Sequence, residues 1–299
     1  MRAREILSEW PVANYSACSI DFSSSSPTVQ FAGATRQNFA LASLSKPITA
    51  LAVLVGVQEE IIDLDARFES GFNRSDLLSH QSGLKFDVDG GISIQNCRDA
   101  MLNPNSYTFD RPGNQRRIYS NLGYELLAFD LEIQSQMPFH DYLREAILDP
   151  VRMTESFIDL GAHGLGYPFG ASAGIVSSAN DMSLFLAELI NGHVVDQSFK
   201  DPAFVSRGEK LPGIVPGFGY FEDNAWGMGF EVKASKNRHW TGTLNSSSTF
   251  GHFGRSGTFF WVDPIEQLAC CVLTDRPFDD FAKESWPIFS DLLLQDRLL

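Results

Sequence analysis

Ser43 and Lys46 stand three residues apart in the stretch Ala42-Ser43-Leu44-Ser45-Lys46-Pro47-Ile48-Thr49-Ala50, which runs into the apolar segment Leu51-Ala52-Val53-Leu54-Val55-Gly56-Val57. Side chains at i and i+3 share one face of a helix, one turn apart. The spacing predicts a hydroxyl beside an amine at the start of a helix whose remainder is buried. Pro47 fits that placement, because the first helical turn needs no N–H from it. Lys46 is the only charged residue between Arg36 and Glu59. Among apolar neighbours and near the positive end of a helix dipole, its ammonium form is disfavoured. A neutral amine can take a proton from a hydroxyl, which makes this a serine nucleophile with a lysine base. The plain alternative is a helix-capping serine beside an interface lysine. A second copy of the spacing, Ser82-Gly83-Leu84-Lys85, follows Asp76-Leu77-Leu78-Ser79-His80. Gly83 reads there as a helix stop, so Lys85 falls in a turn with no face to share with Ser82.

Two further short patterns carry chemistry. Tyr119-Ser120-Asn121 is the only Y-x-N in the chain and sits just before a helical stretch, where a phenol can be presented rather than buried. Gly251-His252-Phe253-Gly254 holds the only H-x-G, on an expected strand with a glycine on either side of His252-Phe253. Glycines there point to a close approach to the backbone. Each pattern alone also fits an ordinary packed tyrosine or strand histidine. His80 reads as structural, bonding loop backbone near a helix end, and His140, His163, His193 and His239 have no partner at ligand spacing.

The elements that must position these residues follow from patterning. Residues 3–10 read as a helix, and Asn14–Phe22 and Thr28–Phe31 as strands joined through Ser23–Ser26 and Pro27. Helices are expected at Arg74–His80, Ile94–Leu102, Gly123–Ile133 and His140–Leu148, the last closed by Pro150, with a turn at Pro112-Gly113-Asn114. Gly161–Gly174, with five glycines, reads as a loop or close-packing segment, and Ser178-Ala179-Asn180-Asp181 caps a helix over Met182–Ile190. From Trp226 the chain reads β, at Gly227–Lys233, Thr249–Gly254, Gly257–Val262 and Gln267–Thr274. Phe289–Leu299 closes as a helix with Pro287 near its start. With strands at both ends, the expected fold is mixed α/β: an antiparallel sheet flanked by N- and C-terminal helices, with an all-helical insertion. Residues 1–60 and 166–299 would form the α/β domain and 61–165 the helical one, the active site lying between them.

At 299 residues the chain can bury a large core, and 24 Phe predict a core or cleft rich in aromatic surface. A net charge of −14 argues against nucleic acid or an anionic membrane as partner. The N-terminus has arginines but no apolar run behind them, and the run Ile48–Val57 is far short of the ~20 residues that span a bilayer. A cytoplasmic protein is expected. Cys18, Cys97, Cys270 and Cys271 follow no metal spacing and read as free buried thiols, the adjacent pair pointing to opposite faces of a strand.

In the order S-x-x-K, Y-x-N, H-x-G, the three patterns resemble the serine β-lactamase and penicillin-binding protein superfamily. The flanks resemble the class C β-lactamases and their esterase relatives: Leu77-Leu78-Ser79-His80-Gln81-Ser82-Gly83-Leu84, Pro112-Gly113 through Tyr119-Ser120-Asn121-Leu122-Gly123-Tyr124, Ala173-Gly174-Ile175-Val176-Ser177-Ser178, and Gly251–Gly257 running on to Trp261-Val262-Asp263-Pro264. The likeness spans about residues 40 to 275. It implies a serine hydrolase with Ser43 as the acylated nucleophile and Lys46 taking or relaying its proton. Tyr119 would exchange a proton with the nucleophile and the leaving group, and Asn121 would orient Lys46 or the acyl amide. His252 stands for the lysine of the K-T-G form and would support Tyr119 or substrate. The oxyanion donors would be the backbone N–H groups of Ser43 and of Arg255, just past Gly254. No cofactor or metal is implied. Phe253 stands where a small hydroxyl residue is usual, which removes a donor for penicillin-type carboxylates and reshapes the cleft. The histidine form is typical of the esterase and peptidase relatives, so the expected substrate is a carboxylic ester or small amide. A penicillin-recognising D-Ala peptidase or β-lactamase is the alternative, and a catalytically silent binding module on the same fold is another.

Overall fold

The computed structural model describes residues 2–299 apart from 104, 106, 109–114, 162–165, 209 and 298. The expected turn at 112–114, His163 and part of the glycine-rich segment therefore lie outside the described residues. Helix α1 (Ala3–Glu9) leads into the hairpin β1 (Tyr15–Asp21) and β2 (Thr28–Gly33), then a two-residue strand β3 (Phe39–Ala40). A 3₁₀ turn, Ala42–Leu44, runs directly into α2 (Ser45–Gln58). Next come α3 (Arg74–Leu78), α4 (Ile94–Leu102), α5 (Asn121–Ser135), α6 (Phe139–Leu143), a π-helical turn at Arg144–Leu148, and α7 (Asp149–Val151). Short strands β4 (Phe157–Ile158) and β5 (Ile175–Ser177) precede α8 (Ala179–Asn191) and α9 (Gln197–Ala203). The hairpin β6 (Gly213–Val215) and β7 (Gly219–Phe221) precedes β8 (Glu231–Val232), β9 (Phe250–Gly254), β10 (Thr258–Asp263), β11 (Leu268–Thr274) and the closing helix α10 (Asp280–Asp296).

The main sheet is antiparallel in the order β2-β1-β11-β10-β9-β8, so the N-terminal hairpin and the C-terminal strands meet at the β1–β11 pair. Both faces are covered, which explains near-continuous apolar strands in an antiparallel sheet. On β10, Phe259 and Trp261 face the layer built with α1 and α10, while Phe260 and Val262 face the core shared with α2, α5 and α8. On β11, Cys270 joins the first core and Cys271 the second, as their adjacency predicted, and all four thiols are free and buried. Among the described residues no helix is long and apolar enough to cross a membrane.

Several expected boundaries move. Pro150 does not close a helix: it lies in the first turn of α7, where its missing N–H costs nothing, and the helix ends at Arg152 with φ +66°. Helix α10 starts nine residues earlier than expected, capped by the Asp279 carboxylate on the Ala282 amide, and carries Pro287 inside it. Burial of Trp286 and Phe289 on the same helix, each contributing roughly 1.5–3 kcal/mol, offsets the ~3 kcal/mol of an interior proline. The strand expected over 227–233 pairs only at Glu231–Val232. The pairs joining β3, β5 and β4, and the hairpin β6–β7, are two or three residues long, too short to show a period. One of them, β4, lies near the end of the stretch otherwise built of helices.

Candidate active site

The Ser43 turn is held from two sides. Ser43 sits on the 3₁₀ turn, half-buried, and Ala42 before it takes φ +48°, a conformation costly for a residue with a Cβ. The Thr258 hydroxyl donates to Leu41 O at 2.9 Å, tying the turn to β10. A Cβ on Gly254 would lie 2.3 Å from Leu41 O and 3.3 Å from the Ala42 Cβ. The close approach foreseen at this glycine is thus made by the turn that carries Ser43. Pro47 occupies the first turn of α2, and the Ser45 hydroxyl accepts from the Ile175 amide at 2.9 Å.

Lys46 is fully buried and its Nζ donates to Asn121 Oδ1 at 2.7 Å and Ser172 O at 2.8 Å, with Ser43 Oγ at 3.4 Å. Its ammonium lies 4.7 Å from the Tyr119 ring centre and 5.5 Å from that of Tyr124. Burial lowers the Lys46 pKa to about 7, while the charges of Glu125 and Asp87 pull it upward. The amine is therefore part neutral at physiological pH, the state the sequence called for.

Ser120 explains how the Y-x-N triplet is presented. Its hydroxyl caps α5 by accepting from the Gly123 amide at 3.0 Å, so Tyr119 stands just outside the helix and Asn121 begins it. The His80 Nδ1 accepts from the Ser120 amide at 3.2 Å, the structural role expected of that histidine, and its ring packs 4.5 Å from Tyr119. The Tyr119 hydroxyl lies 3.4 Å from His252 Nε2. Because His252 Nδ1 faces the Phe253 carbonyl at 2.7 Å, and a carbonyl only accepts, Nδ1 carries the proton and Nε2 accepts from the phenol. Burial, then the nearby Lys46 charge, pushes the His252 pKa down to about 3, so the ring is neutral. Burial also holds the Tyr119 phenol well above its ordinary range, against a hydrogen bond with Ser43 that acts the other way.

The structure thus gathers Ser43, Lys46, Tyr119, Asn121 and His252. Phe253 goes elsewhere. Strand alternation turns it to the opposite face of β9, where its ring meets Trp240, Phe278 and Trp286. It is a core residue of the α1–α10 layer, a correction to the expectation that its side chain reshapes the cleft. Gly254 makes room for the Ser43 turn, and the Arg255 carbonyl accepts from the Phe278 amide at 2.9 Å, which fixes the peptide beyond it.

Sequence reasoning missed three polar neighbours. Glu125 is fully buried and accepts from the Phe169 amide at 2.9 Å, the Ser172 amide at 2.7 Å and the Ser172 hydroxyl at 2.6 Å. Burial raises its pKa despite those bonds. Its position four residues after Asn121 shares the helix face, a signal that was available. Tyr167 and Asp87 come from loops with no such signal.

The beta-lactamase family model matches residues 34–292. Across 99% of this chain and 100% of the other, the chain is similar to a beta-lactamase crystal structure from Mycobacterium bovis, at 36% identity and a TM-score of 0.86. The D-amino acid amidase of Ochrobactrum anthropi shares the fold at 17% identity and a TM-score of 0.71, over 98% and 96% of the two chains. A relative from Escherichia coli O157:H7, provisionally named a D-alanyl-D-alanine carboxypeptidase, is 23% identical over 74% of this chain. Its counterpart in strain K12 is 22% identical over 70% of this chain. The chain spans 64% and 58% of the lengths of those two relatives.

Proposed function

The chain belongs to the beta-lactamase family, and from that footing we propose that it is a cytoplasmic serine hydrolase that cleaves a carboxylic ester through an acyl-enzyme on Ser43. The observation that carries the reading is the buried Lys46 amine, 3.4 Å from the Ser43 hydroxyl with a pKa of about 7. Ser43 Oγ forms a bond to the carbonyl carbon as its proton passes to Lys46 Nζ. The carbonyl electron pair moves onto oxygen, which the N–H groups of Ser43 and Arg255 receive. On collapse the bond to the leaving oxygen breaks, and that oxygen takes the proton through the Tyr119 hydroxyl, which the neutral His252 holds in place. Water then repeats the sequence in reverse roles and frees the acid. Tyr119, held above its ordinary range, serves as a hydroxyl that passes protons on, and Lys46 is the base.

An apolar portion of the substrate is supported by a groove of about 790 Å³ that starts at Tyr119 and runs along Phe86, Ile118, Pro212, Ile214 and Tyr220. Phe86, Ile214 and Tyr220 are exposed and share that one groove, and it is clustering of this kind that marks a binding surface. A p-nitrophenyl ester assay on wild type and Ser43→Ala tests the reading. Wild type is expected to turn over with Ser43→Ala reduced by at least about 1000-fold; equal rates end the idea.

A second reading, a D-Ala peptidase or β-lactamase, is favoured by the names of the relatives and by the Mycobacterium bovis structure. Labelling of Ser43 by a fluorescent penicillin, with no ester turnover, selects it.

A further inference from the structure

Hydrogen-bond polarity runs one way through the wall of this site. Asp87 Oδ2 accepts from the Tyr167 hydroxyl at 2.6 Å, and a carboxylate has nothing to give back. The Tyr167 oxygen, its proton spent, accepts from Asn121 Nδ2 at 2.9 Å. With its NH₂ committed, the Asn121 amide can present only its carbonyl to Lys46, at 2.7 Å. We propose that Asp87 and Tyr167 are positioning residues of this site: across two hydrogen bonds they dictate which end of the Asn121 amide meets Lys46.

The loop is built to hold that register. The Asn121 backbone N–H donates to Phe86 O at 2.8 Å and the Ser120 hydroxyl to Lys85 O at 2.7 Å, so residues 85–87 are laced to the start of α5. Tyr167 is buried, and that burial, then the hydrogen bond and charge of Asp87, disfavour its ionisation. It therefore stays a donor to Asp87. A flipped Asn121 would aim an N–H at the lysine ammonium and leave Tyr167 facing a second acceptor. The Asp87 charge also acts on the amine through space. The groups that face Lys46 are Ser43 on its own turn, Tyr119, Asn121, Tyr124 and Glu125 from α5 and its cap, Ser172 O, His80, His252 and Asp87. Of these, Glu125 and Asp87 are the carboxylates, and both favour the charged amine.

This inference rests on the hydrolase reading, and two substitutions separate its parts. Tyr167→Phe breaks the chain in the middle and frees the amide, so kcat is expected to fall about tenfold, the scale of one net hydrogen bond, with KM within about twofold. Asp87→Asn keeps an oxygen to accept from Tyr167 but removes the charge. An ammonium deprived of that charge loses its proton earlier, so the rising limb of the pH–kcat profile moves to lower pH by about half a pH unit. Thermal unfolding of both variants confirms that they are folded. Folded variants with the wild-type kcat and limb overturn the proposal, as does a loss confined to KM, which marks a substrate contact. If wild type shows no Ser43-dependent turnover, the hydrolase reading fails instead. NMR titration of the Lys46 Cε signal then tests the proposal without catalysis: a midpoint lowered in folded Tyr167→Phe, whose freed Asn121 no longer holds its carbonyl on the ammonium, supports it, and an unmoved midpoint overturns it.

Discussion

Lys46 has three acceptors within reach and is wrapped in two aromatic rings, yet burial brings its pKa to about 7. A hydrogen-bonded lysine with full water access would stay charged and be useless as a base at neutral pH. The distinction between a cation that stabilises and an amine that accepts is testable at this residue. Lys46→Arg keeps the charge and can donate to Asn121 and Ser172, but a guanidinium does not deprotonate in this range. Labelling of Ser43 by a fluorophosphonate is expected to slow by about 100-fold or more in folded Lys46→Arg protein. Labelling at the wild-type rate would show that the positive charge, not the base, is what Ser43 needs.

At the scale of elements, the site is a junction. The 3₁₀ turn brings Ser43, α2 brings Lys46, the cap of α5 brings Tyr119 and Asn121, and β9 brings His252. Within that junction, Gly254 packs closely against the Ser43 turn. In Gly254→Ala the new methyl would sit 2.3 Å from Leu41 O and 2.5 Å from the Thr258 hydroxyl, two groups that already hydrogen-bond to each other. Strand or turn must shift. The variant is expected to lose about 1–3 kcal/mol in urea unfolding and to lose kcat at least tenfold, since a displaced turn moves Oγ away from the amine. Wild-type kinetics in this variant would mean that β9 does not set the position of the nucleophile.

Over the whole molecule, the two ends of the chain close the sheet together. Arg297, at the end of α10, makes a paired contact with the Asp21 carboxylate at 2.7 and 2.8 Å and also donates to Glu266 O. Gln30 on β2 bonds Arg297 O and the Leu299 amide. The hydrogen bonds from Arg297 hold the Asp21 carboxyl well below the usual carboxylate range. A depressed acid contributes stability above its unfolded pKa and loses it as pH falls through the folded value. Arg297→Ala is expected to lower Tm at about pH 6 and to narrow the Tm difference between about pH 6 and about pH 3, because the variant has less left to lose on acidification. An unchanged difference would show that this pair does not couple the termini.

Ser43, Lys46, Tyr119 and His252 were legible because each lies in a short local pattern whose geometry follows from one turn of backbone: helical spacing, a capped helix start, a strand between glycines. The placement of strands at both ends likewise announced that the termini would meet. What the linear chain did not contain were relations between segments far apart. Which face of β9 meets the Ser43 turn sends Phe253 into the core rather than the cleft. The two-residue pairings at β3, β4 and β5 exist only through backbone bonds to one another. Asp87 and Tyr167 find Asn121 across 34 and 46 residues of chain, through contacts that carry no period. Local pattern sets which side chains are available; long-range packing sets their distances, their burial and therefore their protonation.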